Sequence, residues 1–271
     1  MRLLFLLLLL SPACILVRGQ KYGDFVTQSP LPEKDYLVIG FLGGRDHWND
    51  ERRYVRKLAL KLRTMNLAGV HVETVENKER LLAILLIRNA LDRNRNGQLD
   101  ADERASAHLI LYGQSFGGAA VVKAARELKE MHVPVLLTIQ IDSVGRGDAV
   151  IPSNVAQAAN LFQRNGLIIR GEPRIRAEDP QKTTIIGNFE FDYRKKKVDL
   201  SGVPWHKKLF RTAHAKMEHD PDVWTKVEEL ILSAIEKELS QRCSDGAKFR
   251  RLKEDKLVER PWVARLLHQD G

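Results

Sequence analysis

Two hydrophobic rhythms alternate along this chain. Tyr36-Leu37-Val38-Ile39-Gly40-Phe41 is a short continuous apolar run halted by Gly43-Gly44, the pattern of a strand covered on both faces. From Asn49 to Leu67 the period lengthens: Tyr54, Val55, Leu58, Leu62 and Met65 fall on one stripe with charges opposite, which predicts an amphipathic helix. Gly69 to Val75 alternates like a strand. Asn77 then offers a cap for a helix over Lys78 to Leu91, with Leu81, Leu82, Leu85, Leu86 and Ala90 as its apolar face. His108 to Tyr112 reads as the next strand and Gly117 to Met131 as the next helix. Pro134 opens another continuous apolar strand, Val135 to Ile141.

This βαβαβαβ series predicts an α/β domain built on a small, mostly parallel sheet flanked by helices, with its chemistry beyond the carboxyl ends of the strands. Past Ile141 the rhythm is weaker. Val155 to Gln163 has helical character, Leu167-Ile168-Ile169-Arg170 and Thr184-Ile185-Ile186 read as strands, and Asn188 to Gly202 is polar enough for a loop. Pro221 to Gln241 predicts a terminal helix with Asp220 as cap and Pro221 at its first position. Residues 244–271 form a charged tail, and no internal repeat is present.

The N-terminus stands apart. Met1-Arg2, the apolar Leu3 to Leu10, and small residues up to Gly19 have the order of a secretory signal. The apolar run is shorter than the about 20 residues a membrane helix needs, and Pro12 interrupts it. Cleavage after Gly19 would leave a domain over residues 20–243 and the tail, in a secreted or periplasmic protein. A lipoprotein signal cut before Cys14 is the alternative, although the usual Leu three residues before the Cys is missing. Removal of the signal leaves Cys243 alone of the two cysteines, so an intramolecular disulfide is excluded and the core must supply stability.

Composition is that of a soluble globular protein: 271 residues, 44% hydrophobic and 29% charged. The formal net charge of +9 is concentrated in Arg194-Lys195-Lys196-Lys197, His206-Lys207-Lys208, Arg211 and Lys216. Such clusters suit a membrane surface or an acidic polymer, or simply form a solvated face. No aromatic-interleaved motif accompanies them, so nucleic acid is not an expected partner.

The chemistry points to Gly113-Gln114-Ser115-Phe116-Gly117, between a predicted strand and a predicted helix. A sharp strand-to-helix turn lifts the Ser115 hydroxyl clear of the sheet and crowds its neighbours, so the flanking positions must be small. On these residues the chain resembles the α/β-hydrolase superfamily, especially its compact lipases and esterases, over Asp35 to Gln241. The resemblance implies a serine hydrolase cleaving a carboxylic ester or thioester, needing no cofactor for catalysis. It implies the order nucleophile, acid, histidine, with Ser115 as nucleophile. It makes the N–H of Phe116 one oxyanion donor. The other would come from Ile39-Gly40-Phe41-Leu42-Gly43-Gly44, with Phe41 preferred and Leu42 the alternative. Asp142, directly after the apolar strand, is the preferred acid, with Asp148 and Asp192 as rivals. His214, in His214-Ala215-Lys216-Met217-Glu218-His219-Asp220-Pro221, matches a catalytic-histidine run of related lipases; His219 and His206 are the alternatives. No long lid insertion is visible, although Arg170 to Gly202 is placed to cover the site.

A second motif is independent of the first. Asp92, Asn94, Asn96, Gln98, Asp100 and Glu103 stand at the ligand spacings of an EF-hand loop, Gln98 through its carbonyl, with Gly97 at the sharp turn. The chain must return to a strand at His108 almost at once, no second loop is present to pair with it, and Arg93 and Arg95 dilute its negative charge. The expectation is a weak structural Ca²⁺ bracing the turn into the Ser115 strand; the alternative is a polar Asn-Gly turn. Two other function classes stay open: a binding protein that kept the fold without catalysis, and a calcium-dependent surface module.

Overall fold

A computed structural model describes residues 19–166, 169–203, 205 and 212–244. Most of the signal-like segment, Cys14, His206 and the tail beyond Ser244 lie outside the described residues, as does the side chain of Cys243. In chain order the elements are β1 (Tyr36–Leu42), α1 (Tyr54–Thr64), β2 (Val70–Glu76), α2 (Arg80–Leu91), α3 (Ala101–Ala105), β3 (His108–Gln114), α4 (Phe116–Glu130) and β4 (Val135–Ile141). There follow β5 (Val150–Ile151), β6 (Val155–Phe162), β7 (Arg176–Ala177), β8 (Thr184–Glu190), α5 (Thr212–His219) and α6 (Pro221–Ser244). Six strands form one sheet in the order β2-β1-β3-β4-β6-β8, and every neighbouring pair is parallel. Strands β5 and β7 make a separate two-stranded ribbon.

The sheet is covered on both faces, which is why its central strands read as unbroken apolar runs. Alternate residues of a strand point to opposite sides. Leu37, Ile39 and Phe41 of β1 therefore join Leu86 and Ile87 of α2 and Val121 and Leu128 of α4 in one core. Tyr36, Val38 and Leu42 join Leu58 and Leu62 of α1 and Val223, Val227 and Ile231 of α6 in the other. This α/β fold, a parallel sheet between helical layers, is the class that the sequence rhythm predicts.

Several local expectations are corrected. Val155 to Gln163 is not a helix: Val155–Phe162 is β6, wedged between β4 and β8. Its alanines favour a helix locally, but Ala158, Ala159 and Leu161 are fully buried in the sheet, and tertiary packing outweighs propensity. On α2 the inward residues are Ala83, Leu86, Ile87, Ala90 and Leu91, while Leu81 and Leu85 are exposed. That helix carries more leucines than one face can bury, so packing against α4 selects the stripe. Asn77 is not the cap; its amide donates instead to the carbonyls of Leu42 (3.0 Å) and Gly44 (2.7 Å), pinning the loop after β1. Ile169 and Arg170 carry no strand. Asn188, read as the start of a loop, lies inside β8. The return to β3 is not immediate, since α3 intervenes. Asp220 does cap α6: its Oδ1 accepts the Asp222 N–H at 3.1 Å. Among the described residues no helix is long and apolar enough to cross a membrane.

Candidate active site

Ser115 occupies the junction of β3 and α4 with φ 59° and ψ −123°, a backbone conformation that side-chain-bearing residues rarely adopt. The turn is closed by contact between its own glycines. A Cβ on Gly113 would stand 2.4 Å from the Gly117 carbonyl oxygen, and one on Gly117 would stand 2.0 Å from that of Phe41. No side chain fits at either position. The Ser115 N–H donates to Ile141 of the neighbouring strand at 2.9 Å, and its carbonyl takes the Gly118 N–H at 3.0 Å. Phe116 follows at the first position of α4, half-exposed over the mouth of the site.

Asp142 stands one strand away, directly after β4, fully buried and also at positive φ (44°). The Nδ1–H of His214 donates to its Oδ2 at 2.6 Å. Gln163 completes the cradle, its side-chain amide donating to Oδ2 at 3.0 Å and its main-chain N–H reaching Oδ1 at 3.4 Å. Gly171 closes the remaining side, where a Cβ would stand 2.2 Å from Oδ1. A buried carboxylate needs this many donors, because an ionised group without partners is costly away from water. With its proton on Nδ1, the His214 ring presents the lone pair of Nε2 to the cavity. The described partner of Nε2 is the Gln114 side-chain nitrogen, at 3.4 Å.

The remaining candidates have other surroundings. Asp148 is buried and accepts the Ser143 hydroxyl and the Gly145 N–H. Its main-chain carbonyl takes the Gln140 amide at 3.0 Å, so the residue braces the loop after β4. Asp192 is exposed beside Arg194, whose guanidinium holds its carboxyl down to about 2. His219 turns its Nδ1 to the Ala215 carbonyl, 3.0 Å away, and its ring makes a T-shaped contact with that of Tyr54. Phe41 lies inside β1, fully buried, with its carbonyl oxygen toward Gly117. The residues after β1 that line the cavity beside Ser115 are Gly43 and Gly44. A Cβ on Gly43 would stand 3.1 Å from that of Ser115 and 2.6 Å from Gln114 Oε1. Sequence reasoning passed over Gln114, Gln163 and Gly43 as site residues; only the double glycine carried a signal.

The cavity measures about 710 Å³ and is also lined by Arg45, Asp46, Asn77, Ala215 and Glu218. Asp46 and Glu218 are joined across it by Arg53, at 2.7 and 3.1 Å.

The calcium-like loop turns through positive φ at Arg95 and Gly97. Its side-chain oxygens accept the loop's own N–H groups: Asp92 from Asn96 and Gly97, Asn94 from Asn96, Asn96 from Gln98, and Asp100 from Glu103. Glu103 is buried and takes the N–H groups of Arg93, Asn94 and Asp100. The donor set is all oxygen, which suits a hard cation. Among the described residues, however, no three His, Cys, Asp or Glu side chains converge as a metal-holding group. The basic run after β8 is partly spent internally, since Arg194 pairs with Asp192, and Lys196 with Asp220 and Asp222.

No family model matches the chain, and no curated protein matches it. Among the solved structures that the chain is similar to, two illustrate the low identity. An uncharacterized protein from Pseudomonas aeruginosa is 11% identical with a TM-score of 0.37 over 58% of this chain. The alignment spans 40% of that protein's length. A cutinase-like protein from Cryptococcus sp. is 15% identical with a TM-score of 0.40, over 77% of this chain and 98% of its own.

Proposed function

We propose that the chain is a secreted serine hydrolase that cleaves a carboxylic ester or thioester through an acyl-Ser115 intermediate. One observation carries the reading: His214 Nδ1 stands 2.6 Å from Asp142 Oδ2, and both His214 and Ser115, the latter on a strained elbow, line one cavity. In this reading His214 Nε2 removes the Ser115 proton as Oγ attacks the carbonyl carbon. Asp142 fixes the ring tautomer and stabilises the imidazolium. The imidazolium proton then passes to the departing alkoxide or thiolate, and water repeats the sequence to release the acid. The Phe116 N–H is one donor to the oxyanion. The second is assigned to the Gly43–Gly44 turn rather than Phe41 or Leu42, because Gly43 and Gly44 line the cavity while Phe41 and Leu42 are held in the strand ladder.

The Gln114 amide at His214 Nε2 favours a second reading, a binding protein of the same fold without catalysis. An amide there takes the lone pair that a serine proton needs. Labelling with a fluorophosphonate separates the two, since only an activated serine reacts. Modification of the wild-type protein and not of Ser115→Ala supports the hydrolase, and absence of modification under native conditions overturns it.

Secretion rests on the signal-like N-terminus, and contact with an anionic surface or polymer on basic residues such as Lys195 and Lys197, which enter no ion pair among the described residues. Structural Ca²⁺ rests on the spacing from Asp92 to Glu103 and on the Asp100–Glu103 capping box that starts α3.

A further inference from the structure

The described wall of the cavity mixes polar and apolar surface, and charged and amide side chains outnumber apolar ones along it. Among the described residues Phe116 and Ala215 supply its only apolar side chains, and charged or amide groups supply most of the rest. Its acidic members are already compensated, because Arg53 bridges Asp46 and Glu218. Arg45 is different. It is exposed and enters no hydrogen bond or ion pair among the described residues, yet it lines the same cavity as Ser115 and His214.

Its backbone is fixed. Residues 43–46 form a turn closed by the Asp46 N–H on the Gly43 carbonyl at 3.1 Å. Asn77 holds that turn from outside through the Leu42 and Gly44 carbonyls. Gly43, at its start, packs against Ser115. A guanidinium two residues from that contact is thus delivered to the mouth of the site on a braced loop, with its donor fork uncommitted. Guanidinium groups in this state recognise carboxylates and similar anions by paired, charge-assisted hydrogen bonds.

We propose that Arg45 reads an anionic group on the substrate, so that the preferred ester carries a carboxylate near the scissile bond in place of a wholly apolar chain. The inference rests on the hydrolase reading above and narrows its substrate class.

The test uses two esters that bear the acid on opposite sides, 4-nitrophenyl hydrogen adipate and 4-carboxyphenyl hexanoate, each compared with its own methyl ester. For the wild-type protein kcat/KM should favour the free acid over the methyl ester in at least one pair, by about three- to fivefold for an exposed ion pair. Added salt should shrink that preference. Arg45→Gln should abolish it and Arg45→Glu should reverse it. Turnover of the methyl esters with no preference for either acid, or a preference that survives Arg45→Glu, overturns the role of Arg45 and leaves the hydrolase reading standing. A folded protein that turns over none of the four esters and resists the fluorophosphonate overturns both.

Discussion

Gln163 holds the carboxylate of Asp142 from two directions, by its side-chain amide at 3.0 Å and its main-chain N–H at 3.4 Å. The same amide group donates to the Ile169 carbonyl at 2.9 Å and accepts the Gly166 N–H at 2.9 Å, so one buried side chain ties Asp142 to the loop that covers it. Removing it leaves several buried partners unsatisfied, at about 1–3 kcal/mol. Gln163→Ala should lower kcat about tenfold with little change in KM, and should lower the melting temperature. Gln163→Glu should be worse at neutral pH, because two carboxylates would share one dry site and one of them must hold a proton. Wild-type kinetics in Gln163→Glu would show that Asp142 needs no such support.

Ser115→Ala should remove ester hydrolysis by a factor of at least about a thousand while preserving the fold. His214→Ala should match it. His219→Ala should cost less than about threefold, since its Nδ1 is committed to the Ala215 carbonyl and the loss is that of one partly buried hydrogen bond. The comparison is made on purified proteins with one ester; the reverse ranking of the two histidines would transfer the base to His219.

Gly117→Ala should not give a folded protein in useful yield. The added Cβ would stand 2.0 Å from the Phe41 carbonyl oxygen, and that atom belongs to the central strand β1 rather than to a movable side chain. Overpacking of this kind costs about 1–3 kcal/mol where neighbours can shift, and more where they cannot. Circular dichroism and the melting temperature measure it, and a variant as stable as wild type would show that the elbow relaxes.

Calcium should act on stability and not on chemistry. For metal-stripped protein, millimolar Ca²⁺ should raise the melting temperature by a few degrees: ligand near its Kd adds only a few tenths of a kcal/mol, and about 2.7 kcal/mol at a hundred times Kd. Glu103→Ala should remove the rise. It should also melt earlier without calcium, because Glu103 accepts three main-chain N–H groups of the loop. Superimposable curves with Ca²⁺ and with a chelator would leave the loop as an Asn-Gly turn.

The first half of the fold was legible because each strand there is a continuous apolar run or, in β2, an alternating one, and each long helix is periodic. The strand-to-helix turn at Ser115 was legible because it demands glycine on both sides, and that demand is local. β6 was not, since its burial depends on β4 and β8, which are distant in sequence, while Ala156, Ala158 and Ala159 speak locally for a helix. Gln163 and Arg45 belong to the same class. One matters through a residue 21 positions earlier, the other through a cavity assembled from segments as far apart as Gly43 and Glu218. The resemblance points to Phe41 or Leu42 and not to Gly43, because sequence cannot say at which residue a strand stops and its loop begins; both lie inside β1.

In the proposed hydrolase, the positive φ of Ser115 sets stability against activity at a single residue. Its backbone torsions suit glycine, and holding a side chain there costs about 1–3 kcal/mol. Ser115→Gly should therefore melt later than wild type while losing the hydroxyl, whereas Ser115→Ala keeps the strain and gains nothing. Asp142, at φ 44°, offers no such release, because its carboxylate is bound to His214 and Gln163 and its loss would strand both. A library of this protein screened for thermal tolerance alone would be expected to recover glycine at position 115 and to retain aspartate at position 142, becoming sturdier as it became inert.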